Sequence, residues 1–246
     1  TFLGLYIFGR GKVSKGVHWF SILMVAVGAT ISAFWILVAN SWQQTPAGFI
    51  IQNGRAELTD FWAAVFNPST LIRFFHTVDA ALISGAFFIV GVSAFLIFKN
   101  NQKEIAKKSL RVAVIFGLIV SLLEVFPFGH EHSRQVANTQ PEKFAAQQGL
   151  YQTQTGAPMP LFALPSDNPP KLKMAIEIPG LLSLMTYGDV NAEIKGLDQF
   201  PKENIPPLVL TFVSYHNMVM LGMYFILIMM IASYLLYKKK LFENKF

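Results

Sequence analysis

The chain has 246 residues, 53% of them hydrophobic and 14% charged, with a mean hydropathy of +0.44 and a formal charge of +6. That is too apolar for an ordinary water-soluble domain and places the chain in a membrane. It contains no cysteine, which excludes disulfides, thiolate metal sites and iron–sulfur clusters held by this chain.

The opening "TFLGLYIFG" is apolar but short, whereas a hydrocarbon core of roughly 30 Å needs about 20 apolar residues to cross. Without an initiator Met or a basic segment before it, it does not read as a signal peptide. It is expected to be the tail of a fifth helix whose beginning is missing, which would make the chain a fragment. Residues 17–40, 71–98, 110–128 and 208–237 are each long and apolar enough to span. After the first span, residues 41–70 carry a turn signal at Asn53-Gly54 and a stretch, 57–66, suited to the membrane surface. Residues 129–207 form a long, proline-rich polar connection, and a connection of such length is normally functional or disordered. Its mixed charge and the segment "MAIEIPGLLSLM" (Met174 to Met185) favour a partly folded lid. The expected architecture is an all-α integral membrane protein: a helix bundle with four full transmembrane helices, the tail of a further one, and a long outer-face loop. Residues 1–128 would hold the first helices, 129–207 the loop, and 208–246 the last transmembrane helix with a basic cytoplasmic end.

The positive charge lies at helix ends. Arg10, Lys12 and Lys15 precede the first full span, Lys99 to Arg111 separates the second from the third, and Lys238, Lys239 and Lys240 follow the fourth. With four spans these clusters fall on one side, which the positive-inside rule assigns to the cytoplasm. The charge therefore reports topology and a bilayer partner, not nucleic acid.

"LIRFFHTVDAALISG" (Leu71 to Gly85) brings ionisable groups into a span, where they are costly and tend to be functional. Arg73, His76 and Asp79 are spaced by three and share one helix face. One reading is an interfacial cluster in which Arg73 and Asp79 snorkel or pair and His76 fills a polar gap. The other is a haem site, with His76 as axial ligand, Arg73 on a propionate, and Gly85 and Gly91 leaving room for a macrocycle. A second ligand would come from "SYHNMVMLG", where His216 and Met218 point about 200° apart on a helix, so that only one faces a given haem. Glu124, inside the third span, is a candidate for a proton path, a subunit contact or a helix-end residue reaching water.

From "SAFWILVANSWQQTPAGF" (Ser32 to Phe49) onward the sequence resembles subunit I of the cytochrome bd quinol oxidases, in the branch with a short quinol loop. The resemblance continues in order through "NPSTLIRFFHTVDAALISGAFFIVGVSAF", "TQPEKFAAQQGLY", "IEIPGLLSLM" and "IPPLVLTFVSYHNMVMLG". It implies that His76 and Met218 ligate the iron of a low-spin haem b (b558-type) that takes electrons from quinol. It also implies that Lys143 lies in a quinol-binding loop on the outer face, and that Ser32 matches a hydroxyl on a proton-entry route. The chain departs from the pattern at Gln148, where the quinol loop normally has a glutamate, at His216 in place of an arginine, at Gly180 in place of a tyrosine, and at Asp79. His130, Glu131 and His132 are possible substitute proton acceptors. The family's oxygen-reducing haems, a further haem b and a haem d, take their ligands from helices with no match here. The resemblance implies a subunit II-like partner, quinol as substrate and a bacterial cytoplasmic (inner) membrane. An alternative is a bd-like electron-transfer or structural subunit of a larger respiratory complex that does not itself reduce oxygen. A transporter lined by Asp79, Glu124 and His76 is disfavoured by the lack of internal repeats.

Overall fold

A computed structural model of the protein describes residues 1–167 and 170–242. The chain divides into two compact units, Thr1–Val78 and Asp79–Phe246.

The first unit opens with α1 (Phe2–Phe8) and α2 (Lys15–Trp42). Ser14 starts α2 by accepting a hydrogen bond from the Val17 N–H at 3.3 Å, which satisfies one of the amides a helix leaves open at its N-terminus. Strands β1 (Phe49–Gln52) and β2 (Arg55–Leu58) form a hairpin through Asn53 and Gly54, at φ 51° and 73°. Positive φ at both central residues gives the turn the twist a two-residue hairpin needs. The stretch expected at the membrane surface is divided between β2 and the short helix α3 (Phe61–Val65), whose first turn is capped by Asp60 accepting from Ala63 N–H at 3.0 Å. Phe61, Trp62 and Phe66 remain exposed, as rings at a bilayer interface do. The unit ends within α4 (Thr70–Phe98), which continues into the second.

In the second unit α4 closes on Asn100 in a left-handed conformation, φ 55°, with Asn101 N–H bonded to Leu96 C=O at 2.9 Å. Next come α5 (Lys103–Leu123), a π-helical turn (Glu124–Gly129), α6 (His130–Thr139) and α7 (Pro141–Gln148). The expected third span, 110–128, is corrected at both ends. The helix starts at Lys103, where Glu104 and Lys107 pair at 3.3 Å, so the basic residues placed in a loop lie on its first turns. Past Leu123 it widens instead of ending, because Pro127 lacks an N–H and the looser turn carries it into α6.

Small strands β3 (Gln154–Thr155) and β6 (Glu193–Ile194) pair with each other, and β4 (Met159–Asp167) pairs antiparallel with β5 (Pro170–Ile178). With two-stranded sheets every strand is an edge, so Pro160 and Pro165 are tolerated in β4. Helix α8 (Leu181–Tyr187) lies between β5 and β6, and α9 (Leu208–Tyr237) is the last span. Strands thus occur in the connections while all membrane-length segments are helical, four of them among the described residues.

The long connection is folded around two small cores. Val136, Phe144, Leu150, Ala157 and Leu182 form one, and Ala145, Ala146, Leu197 and Leu208 the other. Buried Ser183 ties the first together, accepting from Ala157 N–H at 2.8 Å and donating to Ala192 C=O at 2.7 Å. Near the surface Asp198 accepts from the Thr153 N–H and hydroxyl, both at 2.9 Å.

Within the membrane, α5 and α9 meet through small residues. A Cβ on Gly117 would lie 2.8 Å from the Met229 side chain and 3.3 Å from Ala86 of α4, and Phe87 packs on Phe225 with ring centroids 4.5 Å apart. Helices in lipid associate by such close packing. Gly117→Leu is therefore expected to destabilise the protein by about 1–3 kcal/mol, read as a lower thermal midpoint in detergent, whereas Gly28→Ala, with open space around it inside α2, does not lower the midpoint.

A second expectation concerns acid. Desolvation would raise the Asp198 carboxyl, but the hydrogen bonds from the Thr153 side chain and backbone, with Gln199, outweigh it and hold the carboxyl below its ordinary value. A depressed carboxyl contributes its stability above the unfolded value, near 3.9, and loses it as pH falls through the folded value. Protection of the Thr153 amide against hydrogen exchange is expected to fall in that acid range, and Asp198→Asn is expected to remove the pH dependence.

Candidate functional site

One set of candidate residues lies where α2 ends and α4 begins. Asn67 is buried, and its side-chain N–H groups donate to Ser41 Oγ at 3.1 Å and Ala64 C=O at 3.0 Å. Its side-chain oxygen accepts from Ser69 N–H and Thr45 Oγ1, both at 3.1 Å. Ser41 also meets Thr70 Oγ1 at 2.8 Å, and Thr45 meets Ser69 Oγ at 2.6 Å. This polar knot clamps the last turn of α2 to the first turn of α4.

One turn further, Arg73 is buried in the same packing. Its guanidinium donates to Asn40 Oδ1 at 2.9 Å and to Gln44 Oε1 at 2.6 Å. Both acceptors are neutral amides, so they hold the charge in place without neutralising it. The buried Nε has no hydrogen-bond acceptor among the described residues. His76 follows half-buried and Asp79 buried, one and two turns beyond Arg73 on the same helix. Farther along, Gly85 and Gly91 have nothing within 4 Å of the position a Cβ would take. A buried cation with an unused N–H and an imidazole one turn away suit an anionic macrocycle such as a haem with its propionates.

A separate set of candidate residues lies on α9 and the folded connection. His216 stacks on Phe212, with centroids 3.9 Å apart at 21°. Its Nδ1 is 3.0 Å from Phe212 C=O and its Nε2 3.1 Å from Pro160 C=O of β4. Both ring nitrogens face carbonyl oxygens, and whichever carries the proton donates to its carbonyl, Nε2–H being the tautomer that ties the hairpin to the helix. Met218, two residues on and so about 200° around α9, is 49% exposed.

Helix α7 carries Lys143, half-buried, and Gln148, buried. Five residues apart, they stand about 140° apart around the helix. Gly149 ends α7 at φ 63°, and a Cβ there would meet Phe212 at 3.0 Å and Leu172 at 2.7 Å, so α7 is pressed onto the first turns of α9 beneath His216. Glu124 opens the π-helical turn, one turn after buried Ser121. Ser32 is exposed on α2. The structure thus groups Arg73, His76 and Asp79 on α4, and joins α7, β4 and His216 around α9. Sequence reasoning did not single out the polar knot or Ser183. The run Asn67-Pro68-Ser69-Thr70 ahead of an apolar stretch was the available signal for the knot, since short polar side chains before a span bond local backbone.

These features define a multi-pass helical membrane protein with a buried cation beside a histidine on one span and an exposed methionine on another. The chain matches the family model for "Cytochrome bd terminal oxidase subunit I" over residues 1–244, and it belongs to that family. It is similar to cytochrome bd ubiquinol oxidase subunit 1 of Bacillus subtilis (strain 168), 37% identical over 255 residues that cover 99% of this chain and 54% of the relative. It is likewise 34% identical over 211 residues to cytochrome bd-II ubiquinol oxidase subunit 1 of Escherichia coli (strain K12), covering 85% of this chain and 41% of the relative. The chain thus spans about half or less of the length of these relatives. Among solved structures, the bd oxidase from Geobacillus thermodenitrificans superposes with a TM-score of 0.84 at 27% identity, covering 94% of this chain and 53% of that one.

Removing the knot's central amide leaves several buried donors and acceptors without partners. Asn67→Ala is expected to cost about 1–3 kcal/mol or more in stability, measured as a lower thermal midpoint, whereas Thr30→Ala, whose hydroxyl bonds one carbonyl of its own exposed helix, changes it little.

Proposed function

We propose that this chain supplies the quinol-oxidising, haem-binding part of a cytochrome bd-type quinol oxidase, passing electrons from quinol through a low-spin haem b toward oxygen-reducing haems. The observation that carries this reading is Arg73, a buried cation held by Asn40 and Gln44 with Nε unused, one turn from His76. A bound haem b would supply reversible one-electron transfer, with its potential set by its axial ligands.

The chain's own residues do the rest. His76 and Met218 are the residues that would hold the haem iron, and Arg73 would pair with a propionate. His216 is the weaker candidate for iron, because a nitrogen that faces a carbonyl oxygen at 3.0 or 3.1 Å has no open side to offer. Instead it positions α9 by gripping the hairpin, two residues before Met218. Quinol meets the α6–α7 region, where Lys143 supplies a cation beside the headgroup. Quinol oxidation releases protons with the electrons; Ser32 matches a hydroxyl on a proton-entry route, and Asp79 and Glu124 are the further proton-path candidates in the spans. The long connection faces outward and the basic helix ends face the cytoplasm of a bacterial inner membrane. A subunit II-like partner and the further haem b and haem d complete the enzyme.

A second reading, supported by Gln148, is a bd-like electron-transfer or structural subunit that does not reduce oxygen itself. A neutral amide stands where the family pattern has a proton-accepting carboxylate.

The reduced-minus-oxidised absorption spectrum of the purified complex tests both. A chlorin band beside b-type signals is expected for the oxidase, and b-type signals alone for the second reading. His76→Ala is expected to abolish the low-spin b signal and Met218→Leu to shift or abolish it, while His216→Leu keeps it. Loss in His216→Leu with retention in Met218→Leu would transfer the ligand to His216.

A further inference from the structure

At the end of α9 opposite His216, the backbone makes a tight reversal. Lys239 adopts a left-handed conformation at φ 60°, Lys239 N–H bonds to Leu236 C=O at 3.0 Å, and Lys240 N–H to Leu235 C=O at 2.9 Å. This is a Schellman closure, built on a lysine where glycine is usual. It turns Leu241 and Phe242 back onto the core formed by Leu110, Val114 and Met229. There the Phe242 ring lies under two cations of α5 that are one turn apart, Arg111 at 5.3 Å and Lys107 at 5.8 Å from its centroid.

The fold-back borders an open pocket of about 360 Å³ lined by Arg111, Lys239, Leu236, Tyr237, Leu241 and Phe242. Its chemistry has two halves. Arg111 and Lys239 present cationic donors at the helix ends, and the other four side chains form a wall of hydrocarbon and rings. Lys107 gives part of its charge to Glu104 at 3.3 Å, whereas Arg111 and Lys239 stay exposed. A free inorganic anion needs no apolar wall, and a zwitterionic headgroup carries a cation that two further cations repel. Basic pockets between transmembrane helices suit acidic headgroups, with acyl chain against the apolar side.

We propose that this pocket is a binding site for an anionic phospholipid, with the phosphodiester on Arg111 and Lys239 and the chain against Leu236, Tyr237 and Leu241. The Phe242 ring sets the depth of the site by holding the α5 cations in place. The lipid would fasten the ends of α5 and α9 together at the membrane surface without touching the residues assigned to electron transfer.

The test uses the purified intact complex, stripped of loosely held lipid and titrated separately with phosphatidylglycerol, phosphatidylcholine and inorganic phosphate, with bound lipid counted by native mass spectrometry. Phosphatidylglycerol is expected to bind more tightly than phosphatidylcholine, and the difference is expected to shrink as salt is raised. Arg111→Gln combined with Lys239→Gln is expected to weaken phosphatidylglycerol binding about 30-fold, from the worth of two basic side chains at a membrane surface. Arg111→Lys is expected to retain most of it, and Lys108→Gln, outside the pocket, all of it. Equal binding of the two lipids, an unchanged affinity in the double variant that keeps its helical circular dichroism, or displacement of the lipid by millimolar inorganic phosphate would each overturn the assignment. If the double variant loses helical circular dichroism, Arg111→Lys and Lys108→Gln decide: equal loss of binding in both would likewise overturn it.

Discussion

A polar side chain carried to the edge of a bilayer has to find its partners inside the protein, because lipid offers none. Asn67 meets that constraint completely. Its two N–H groups donate to Ser41 and Ala64, and its oxygen accepts from Ser69 and Thr45, which uses the full capacity of an asparagine amide. Aspartate at this position would lose both donors, and serine would be too short to reach across. Because these bonds fix where α4 starts, they also fix its rotation. One residue of slippage would swing Arg73, His76 and Asp79 by about 100° around the helix axis. The orientation of the proposed haem face is therefore set by uncharged groups ahead of it, and Arg73 completes the joint by binding Asn40 and Gln44 of α2.

The second candidate ligand depends on a different kind of support. Met218 is unbranched and flexible, so packing at its own position does little to aim it. What defines α9 near it is the folded connection. Gly149 lets the end of α7 approach Phe212, Phe212 stacks on His216, and His216 reaches Pro160 in β4. A helix held from outside the membrane by a ring and a hairpin is anchored two residues before the thioether. Histidine can stand where the resembling family has an arginine because each offers a ring or guanidinium N–H to a carbonyl oxygen.

The parts legible in the sequence were those governed by repetition. Spans emerge from apolar length, the hairpin turn from Asn53-Gly54, and the Arg73, His76 and Asp79 face from threefold spacing, because each is a local property of the chain. The less legible parts depend on contacts between distant segments. Nothing local to Ser183 announces that it bonds residues 157 and 192, since those bonds arise only after α8 packs on α6. The β4 and β5 strands were hidden by their prolines, which argue against a sheet interior but are harmless in a two-stranded ribbon. The continuation of the third span was hidden for a related reason: Pro127 normally ends a helix, and the π-helical turn accommodates it.

Gln148 brings burial and chemistry together. It is the last residue of α7, only 3% exposed, and it adjoins the Ala145 and Ala146 core on which α9 begins. A carboxylate in so enclosed a position would need fixed donors or a nearby cation to stay ionised, and Lys143 lies about 140° away around the same short helix. An amide can be buried there with hydrogen bonds alone. The packing of α7 onto α9 and the absence of an acid at this position are thus two sides of one solution: the end of α7 acts as a brace. Glu131, exposed and paired with Arg134 at 3.0 Å on the same folded connection, shows the contrast: a carboxylate there keeps contact with water and has a cation beside it.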